Sequence, residues 1–338
     1  MKILIFEYIT GGGLCREDLP DSLAAEGLLM LKALLRDLSA LEEVKPLLLL
    51  DSRLTEQVAG VLDECVSLVQ IGRADDVFAV LAQHIAGCDA AWPVAPEIDS
   101  ILFDLTRLLE KHRKPVLSSP SGVVALTSDK FKTYQHLTAH DIGAVLTELL
   151  QCVDYKKTGK QVLKPIDGMG CERTFIIDEN VDLEDFIQRL DAPERYIVQP
   201  FVEGQPKSLS CLFRNGKGWL LSANSQDVRI REQRFELTAC QVNHAEKSDK
   251  YQHLVDRVAQ ALPDLWGYAG IDFIETDEGM LVLEINPRLT TSYAGIFPAL
   301  GINVAEQALT MLTQDPVLRP ANNQSIIVSI ERGILNAN

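Results

Sequence analysis

At 338 residues, with 46% apolar and 24% charged side chains, the chain is long enough for two or three packed units and has the composition of a globular protein. No run approaches the length of a membrane span, and a formal net charge of −16 disfavours nonspecific binding to nucleic acid or anionic membranes, which both draw on excess Lys and Arg. The seven cysteines are scattered, without a C-x-x-C pair or clustered His, which argues against a zinc site or a disulfide framework.

The chain opens on an apolar strand, Ile3 to Phe6, without a basic leader, so the expected location is the cytoplasm. A helical pattern from Leu23 to Leu38 follows a glycine loop. Short apolar runs at Val44 to Leu50, Val66 to Ile71, Ala90 to Val94 and Pro115 to Leu117 then alternate with helix-like segments around 54 to 63, 75 to 86 and 98 to 112. This alternation predicts a parallel sheet covered by helices over residues 1 to 118. Glu7-Tyr8-Ile9-Thr10-Gly11-Gly12-Gly13 lies where open α/β sheets bind ligands, and its glycines expose N–H groups that can hold an anion such as a substrate carboxylate. Glu7, Thr10, Gly11 and Gly12 are therefore candidate substrate residues, with a plain turn as the alternative. The stretch is not G-x-G-x-x-G, which argues against a dinucleotide. Glu97, at the equivalent end of the run Ala90 to Val94, reads either as a substrate-side group or as a charge at a helix N-terminus.

Ser118 to Ser128 is rich in Ser, Pro and Gly, which suits a boundary. Ser128 then reads as the N-cap of a helix with Lys130 in its first turn, where a cation opposes the helix dipole and wants an anion. A plain surface charge is the alternative for Lys130. Lys164 ends the apolar strand Gln161 to Pro165, and Asp167-Gly168-Met169-Gly170-Cys171 follows. A lysine beside a glycine loop can reach a phosphate that the loop's N–H groups cradle, although the order is not that of a Walker motif. Arg195 to Pro200 reads as a strand leading into Phe201-Val202-Glu203-Gly204. Alternating runs at Lys207 to Phe213, Gly218 to Asn224 and Phe235 to Val242 predict an antiparallel sheet. Asn224, Gln226, Arg229 and Arg231 lie in or after its middle strand, the two arginines reading either as phosphate contacts or as a surface ion pair. A packing helix is expected over Asp249 to Leu262 and an apolar one over Val304 to Leu312.

Between these helices, Ala269 to Thr276 and Met280 to Asn286 read as a hairpin around Asp277, Glu278 and Gly279. A three-residue loop puts Thr276 opposite Met280, Ile274 opposite Val282 and Asp272 opposite Glu284, with Asn286 on the same face as Glu284. Carboxylates that are direct cross-strand neighbours, with Cβ atoms roughly 5 Å apart, are destabilising unless a cation lies between them. Two carboxylates and an amide carbonyl are hard ligands that suit Mg²⁺. A solvated hairpin face is the alternative, against which stand Leu281, Leu283 and Ile285 on the other face.

The arrangement Asp272, Glu284-x-Asn286 and Arg288, joined to Lys164 with its glycines and to Ser128-Asp129-Lys130, resembles the ATP-grasp superfamily, whose members mostly ligate carboxylates to amines. The resemblance covers the whole chain. It implies an α/β fold in which an N-terminal parallel-sheet (pre-ATP-grasp) domain, 1–118, precedes a two-lobed ATP-grasp module with an antiparallel sheet, 119–338, with a lid lobe about 145–200 and a C-terminal lobe about 201–338. It implies ATP and Mg²⁺, which Mn²⁺ can replace, with Asp272, Glu284 and Asn286 as the metal residues. Lys130 would contact the nucleotide near its α-phosphate, and the loop with Gly168 and Gly170 would fold over the β and γ phosphates. Gln199, Phe201 and Val202 would meet the adenine, chiefly through backbone, and Glu203 the ribose; Gln199 stands where many relatives have Glu. Lys130 and Lys164 would align the triphosphate with a substrate carboxylate. Arg288 would then stabilise charge on the transferring phosphoryl group and on the tetrahedral intermediate, with Leu289 to Tyr293 a polar stretch beside it.

More narrowly, Phe6 to Gly13 together with Leu283 to Thr291 resembles the methanofuran-pathway ligases that join glutamate to tyramine through an acyl phosphate, with release of ADP and phosphate. The partners implied are a small-molecule carboxylate and an amine, with no nucleic acid and no membrane, and a homodimer is the expected assembly. The alternatives are a ligase of other substrates, a biotin-carboxylase-like carboxylation, and a nucleotide-binding regulatory module without turnover. The complete metal triad argues against the last.

Overall fold

The computed structural model describes residues 1–153, 159–168, 173–178, 183–244, 248–329 and 334–337. Four strands, β1 (Lys2–Glu7), β2 (Lys45–Asp51), β3 (Ser67–Ile71) and β4 (Ala90–Val94), form a parallel sheet in the order β3-β2-β1-β4. β1 is apolar on both faces because both are covered. Ile3 and Ile5 pack towards α1 (Asp21–Ser39). A short α2 (Thr55–Val58) follows β2, and Leu4 and Phe6 pack with residues of α3 (Val77–Ile85) and α4 (Ile101–Lys111). The run at 115–117 adds only a single bridge, Val116 to Ala91, because Pro115 has no N–H with which to extend a ladder.

Two helices, α5 (Ser121–Thr127) and α6 (Lys130–Ala139), lead into the second sheet. Asp129, not Ser128, caps α6: its carboxylate accepts from the Lys132 N–H at 2.9 Å. Ser128 still has helical backbone and ends α5, whereas Asp129 has the extended backbone that a cap requires.

The second sheet comprises β5 (Glu148–Leu149), β6 (Gln161–Pro165), β7 (Phe175–Ile177), β8 (Tyr196–Pro200), β9 (Gln205–Arg214), β10 (Lys217–Arg231), β11 (Arg234–Val242), β12 (Gly267–Thr276), β13 (Gly279–Asn286), β14 (Ile326–Ser329) and β15 (Ile334–Ala337). Its order is β13-β12-β9-β10-β11-β7-β6-β8-β5, with β14 on β11 and β15 on β14. α7 (Leu183–Gln188) precedes β8, and α8 (Asp249–Ala261) packs its apolar face on β9 and β10.

The polar stretch after Arg288 ends sooner than expected, and a helix of its own, α9 (Tyr293–Leu300), begins there. Gly301, at φ +67°, ends it, and α10 (Val304–Thr310) follows where the apolar helix is expected, so α9 is a helix that the sequence reading lacks. Leu34, Leu35 and Leu38 of α1 share one core with Ile296, Leu300 and Val304. Burying each such side chain is worth about 2 kcal/mol, whereas exposed ion pairs are worth about 0–1 kcal/mol. The division expected at residue 118 therefore does not separate two cores: α1 belongs to the parallel sheet on one side and to α9 and α10 on the other. No helix among the described residues is long and apolar enough to cross a membrane.

Candidate active site

The hairpin β12–β13 reaches the expected carboxylate pairing by an unexpected route. Its loop has two residues, so Thr276 faces Gly279 and Ile274 faces Leu281, one step off the register read from the sequence. A bulge between Asp272 and Phe273, where Phe273 pairs with Val282 and Leu283 is passed over, returns the pairing to Asp272 opposite Glu284 and Gly270 opposite Asn286. The bulge also exchanges two side chains. Leu283 lines the cavity beside Glu284, and Val282 enters the core with Ile285.

That cavity is about 370 Å³, a size suited to a nucleotide-class ligand. Asp272 accepts from Gln226 Nε2 at 3.1 Å and from Asn286 Nδ2 at 3.1 Å, which leaves Oδ1 as the free acceptor of the Asn286 amide. Lys130 enters from the first turn of α6, its Nζ 3.0 Å from Glu284 Oε2 and also donating to the Gly168 carbonyl. Burial, and then the charge of Glu284, push Asp272 up to about 8. Burial works on Glu284 in the same sense, but Lys130 and Lys164 outweigh it and hold that carboxyl down at about 2. Two carboxylates that face each other across the hairpin, with an amide oxygen beside them, are a donor set that fits a hard divalent cation.

Arg288 lies beyond this pair. Its Nε donates to both Glu97 oxygens, at 2.9 and 3.0 Å, Nη2 to Glu97 Oε2 at 2.7 Å, and Nη1 to the Leu289 carbonyl at 3.0 Å. Both side chains are nearly buried, at 10% and 7% exposure. Of the two readings of Glu97, the structure shows a third: its carboxylate is the counter-ion of Arg288.

Residues 127–292 match the ATP-grasp domain family and residues 44–124 the pre ATP-grasp 3 domain. The chain carries an ATP-grasp domain behind a pre-ATP-grasp domain. Among curated proteins it is 28% identical over 337 residues to the tyramine–L-glutamate ligase of Methanocaldococcus fervens, covering 97% of each chain. The enzyme of the same name from Methanocaldococcus jannaschii is 27% identical, over 87% of this chain and 84% of its own. Among solved structures, an ATP-grasp superfamily protein of Archaeoglobus fulgidus superposes with a TM-score of 0.71 at 25% identity, covering 97% of this chain and 92% of that one.

The cavity is also lined by the apolar side chains of Val145, Val162, Phe201, Val202, Ile274 and Leu283. Lys164, Gly168 and Gln199 line it too, whereas Gly170 lies outside the described residues. Two expectations change here. The Phe201 N–H donates to the Lys160 carbonyl at 2.9 Å, so it is not available to adenine. Glu203 is exposed and does not line the cavity, because the turn after β8 carries it outward. The Gln199 amide is held by Thr147 Oγ1 at 2.8 Å.

The glycine loop after β1 is turned inward. Glu7 is buried, and its carboxylate accepts from the N–H groups of Ile9 and Thr10, at 3.3 and 2.7 Å, and from Thr10 Oγ1 at 2.6 Å. Burial raises its pKa, against those hydrogen bonds. Gly11 N–H donates to the Glu7 carbonyl at 2.6 Å and Gly13 N–H to that of Tyr8 at 2.8 Å, so these groups are not free to hold an anion. Gly12, at φ +94°, lies against Ile71. Thr10, Gly11 and Gly12 line neither this cavity nor the small one beside it, which Glu7 shares with Glu26, Met30, Pro96 and Arg288.

Glu26 and Ser208 were not singled out from the sequence, yet both line the nucleotide cavity. Glu26, on α1, accepts from Thr291 Oγ1. Ser208 belongs to a buried hydroxyl and amide network: Asn224 donates to Ser208 and Ser210, Ser210 meets Ser292, and Tyr268 bridges Ser210 and Thr290. No spacing in the sequence marks such a network, since its members come from four separate segments. Arg229 and Arg231 are exposed, Arg231 lying 3.8 Å from Glu236, which makes them surface charges.

Proposed function

We propose that this ATP-grasp enzyme is an ATP-dependent carbon–nitrogen ligase that joins a carboxylate to an amine and releases ADP and phosphate, the acid being glutamate and the amine tyramine or a related aromatic amine. The observation that carries the reaction class is the convergence of Lys130, Lys164, Asp272, Glu284, Asn286 and Arg288 on a single cavity that apolar side chains also line. The substrates rest on the similarity to the two tyramine–L-glutamate ligases, which spans most of the chain.

In this reading, Lys130 and Lys164 hold the distal phosphates and keep the γ-phosphoryl group in line with an oxygen of the acid. That oxygen attacks phosphorus, the bond to ADP breaks, and an acyl phosphate forms. The amine then attacks the acyl carbon, phosphate departs, and the amine loses a proton. Arg288 offers N–H groups to the oxygens on which charge develops in both steps. Asp272, Glu284 and Asn286 would hold Mg²⁺, or Mn²⁺ in its place, which when bound neutralises charge on the phosphates. The buried hydroxyls of Ser208, Ser210 and Ser292, with that of half-buried Thr290, keep the wall beside Arg288 polar.

The test is to supply Mg²⁺-ATP and glutamate with tyramine, tyrosine or hydroxylamine and to separate the products. ADP, phosphate and a glutamyl amide are expected, and hydroxylamine should trap a hydroxamate. AMP would overturn the mechanism. ADP formed only with another acid would keep the ligase and discard glutamate.

A further inference from the structure

Glu97 reaches the reaction centre from the parallel-sheet domain, just after β4, and its whole carboxylate is taken up by Arg288. A guanidinium has five N–H donors in a rigid plane. On Arg288, Nε, one N–H of Nη2 and one of Nη1 are committed to Glu97 and to the Leu289 carbonyl, so one N–H remains on each terminal nitrogen. Arg288 lines both cavities. A side-on carboxylate grip fixes the plane of the guanidinium, and with it the direction of those two remaining donors.

The segment that carries Glu97 is itself held. Asp99 and Ser100 are consecutive non-glycine residues with left-handed backbone, at φ 52° and 62°. Such backbone persists where its surroundings over-determine it. Here the Asp99 N–H donates to Asp167 Oδ2 at 3.0 Å, the Asp99 carboxylate meets Arg195 Nη1 at 2.6 Å, and the Leu102 N–H closes on the Pro96 carbonyl at 3.0 Å. Glu97 thus stands between two anchors, the strand β4 behind it and the Asp99 contact to Asp167 and Arg195 ahead of it.

We propose that Glu97 is a positioning residue for the ligation: it aims the two uncommitted N–H groups of Arg288 at the reacting oxygens, so that turnover depends on a carboxylate supplied by the other domain. The inference rests on the role given to Arg288 above. Glu97 touches no substrate in this account and acts only through Arg288.

The experiment compares Glu97→Gln, Glu97→Ala, Glu97→Asp, Arg288→Ala and the Glu97→Ala/Arg288→Ala double variant for kcat, KM and thermal unfolding. Glu97→Ala should lower kcat by about 10²-fold, the scale of losing an oxyanion donor, with KM for ATP changed less than about twofold. Glu97→Asp should recover part of the loss. The double variant should be no slower than Arg288→Ala alone, since two residues acting as one unit are not additive. Full kcat in Glu97→Ala, or losses that multiply in the double variant, would overturn the proposal. A second readout needs no substrate. The Nε–H resonance of Arg288, assigned by its disappearance in Arg288→Lys, should exchange slowly in the wild type and move in Glu97→Gln, which keeps the shape of the side chain if Glu97→Ala does not fold. A resonance indifferent to Glu97 overturns the grip itself. A wild type inactive on glutamate and tyramine, with the resonance still dependent on Glu97, supports the grip and discards the substrates.

Discussion

Lys130 meets Glu284 with Nζ 3.0 Å from Oε2, and the carboxylate it meets is the one that faces Asp272 across the hairpin. One ammonium thus offsets part of the like-charge conflict that the cross-strand pair creates. In the proposed reading the sheet pre-positions Asp272, Glu284 and Asn286 for a cation. Removing one ligand charge should therefore affect chemistry far more than folding. Glu284→Gln is expected to lower ATP turnover at saturating Mg²⁺ by about 10²-fold or more. Turnover near the wild-type value would remove the metal assignment.

Lys164, on β6, lines the same cavity and helps to hold Glu284 ionised. Its proposed work is on phosphate, where a charge-assisted hydrogen bond contributes about 1.5–3 kcal/mol. Lys164→Met should weaken ATP binding about 10- to 100-fold in a direct titration, with adenosine binding unchanged. Equal weakening of ATP and adenosine would point instead to a collapsed cavity.

Asp37 of α1 accepts from the Tyr293 hydroxyl at 2.8 Å, deep in the core that joins α1 to α9. Burial raises its pKa, and Arg36 and Tyr293 only partly counter that. A carboxyl whose folded pKa lies above its unfolded value stabilises the fold below the unfolded pKa and loses that stability as pH rises through the folded one. Asp37→Asn keeps an acceptor for Tyr293 and removes the ionisation. The Tm of the variant minus that of the wild type should therefore be more positive at pH 8 than at pH 4. A difference that does not vary with pH would show that Asp37 titrates as it does in the unfolded chain.

Gly12 turns the loop after β1 with φ +94°, and a Cβ there would stand 2.5 Å from Ile71 Cγ2. Gly12→Ala combines a left-handed alanine with overpacking and should cost about 3 kcal/mol, read as a lower urea midpoint. Because the glycine N–H groups described above serve the loop itself, KM for the acid should stay within about twofold. A raised KM at unchanged stability would return the loop to the substrate.

Much of the candidate site is legible in the sequence because it is local. Lys164 sits three residues before Asp167, the acidic opening of a glycine loop, and a strand period of two places Glu284 and Asn286 on one face. The turn of the hairpin was misread by one residue and the pairing survived, since the bulge at Leu283 offsets the shorter loop. Binary pattern also marks the parallel sheet: a strand buried on both faces has to be apolar throughout, as Ile3 to Phe6 are.

Tertiary structure alone decided the rest. Glu97 and Arg288 are far apart in sequence, and nothing in either neighbourhood specifies the other; only the seating of β4 beside the end of β13 makes them an ion pair. Glu26 likewise gains its place from the packing of α1 against α9 and α10. The inward turn of the glycine loop follows from the same cause. Glycines free a backbone to bind an anion or to satisfy itself, and the Gly11 N–H goes to the Glu7 carbonyl because an N–H buried in the folded core needs a partner.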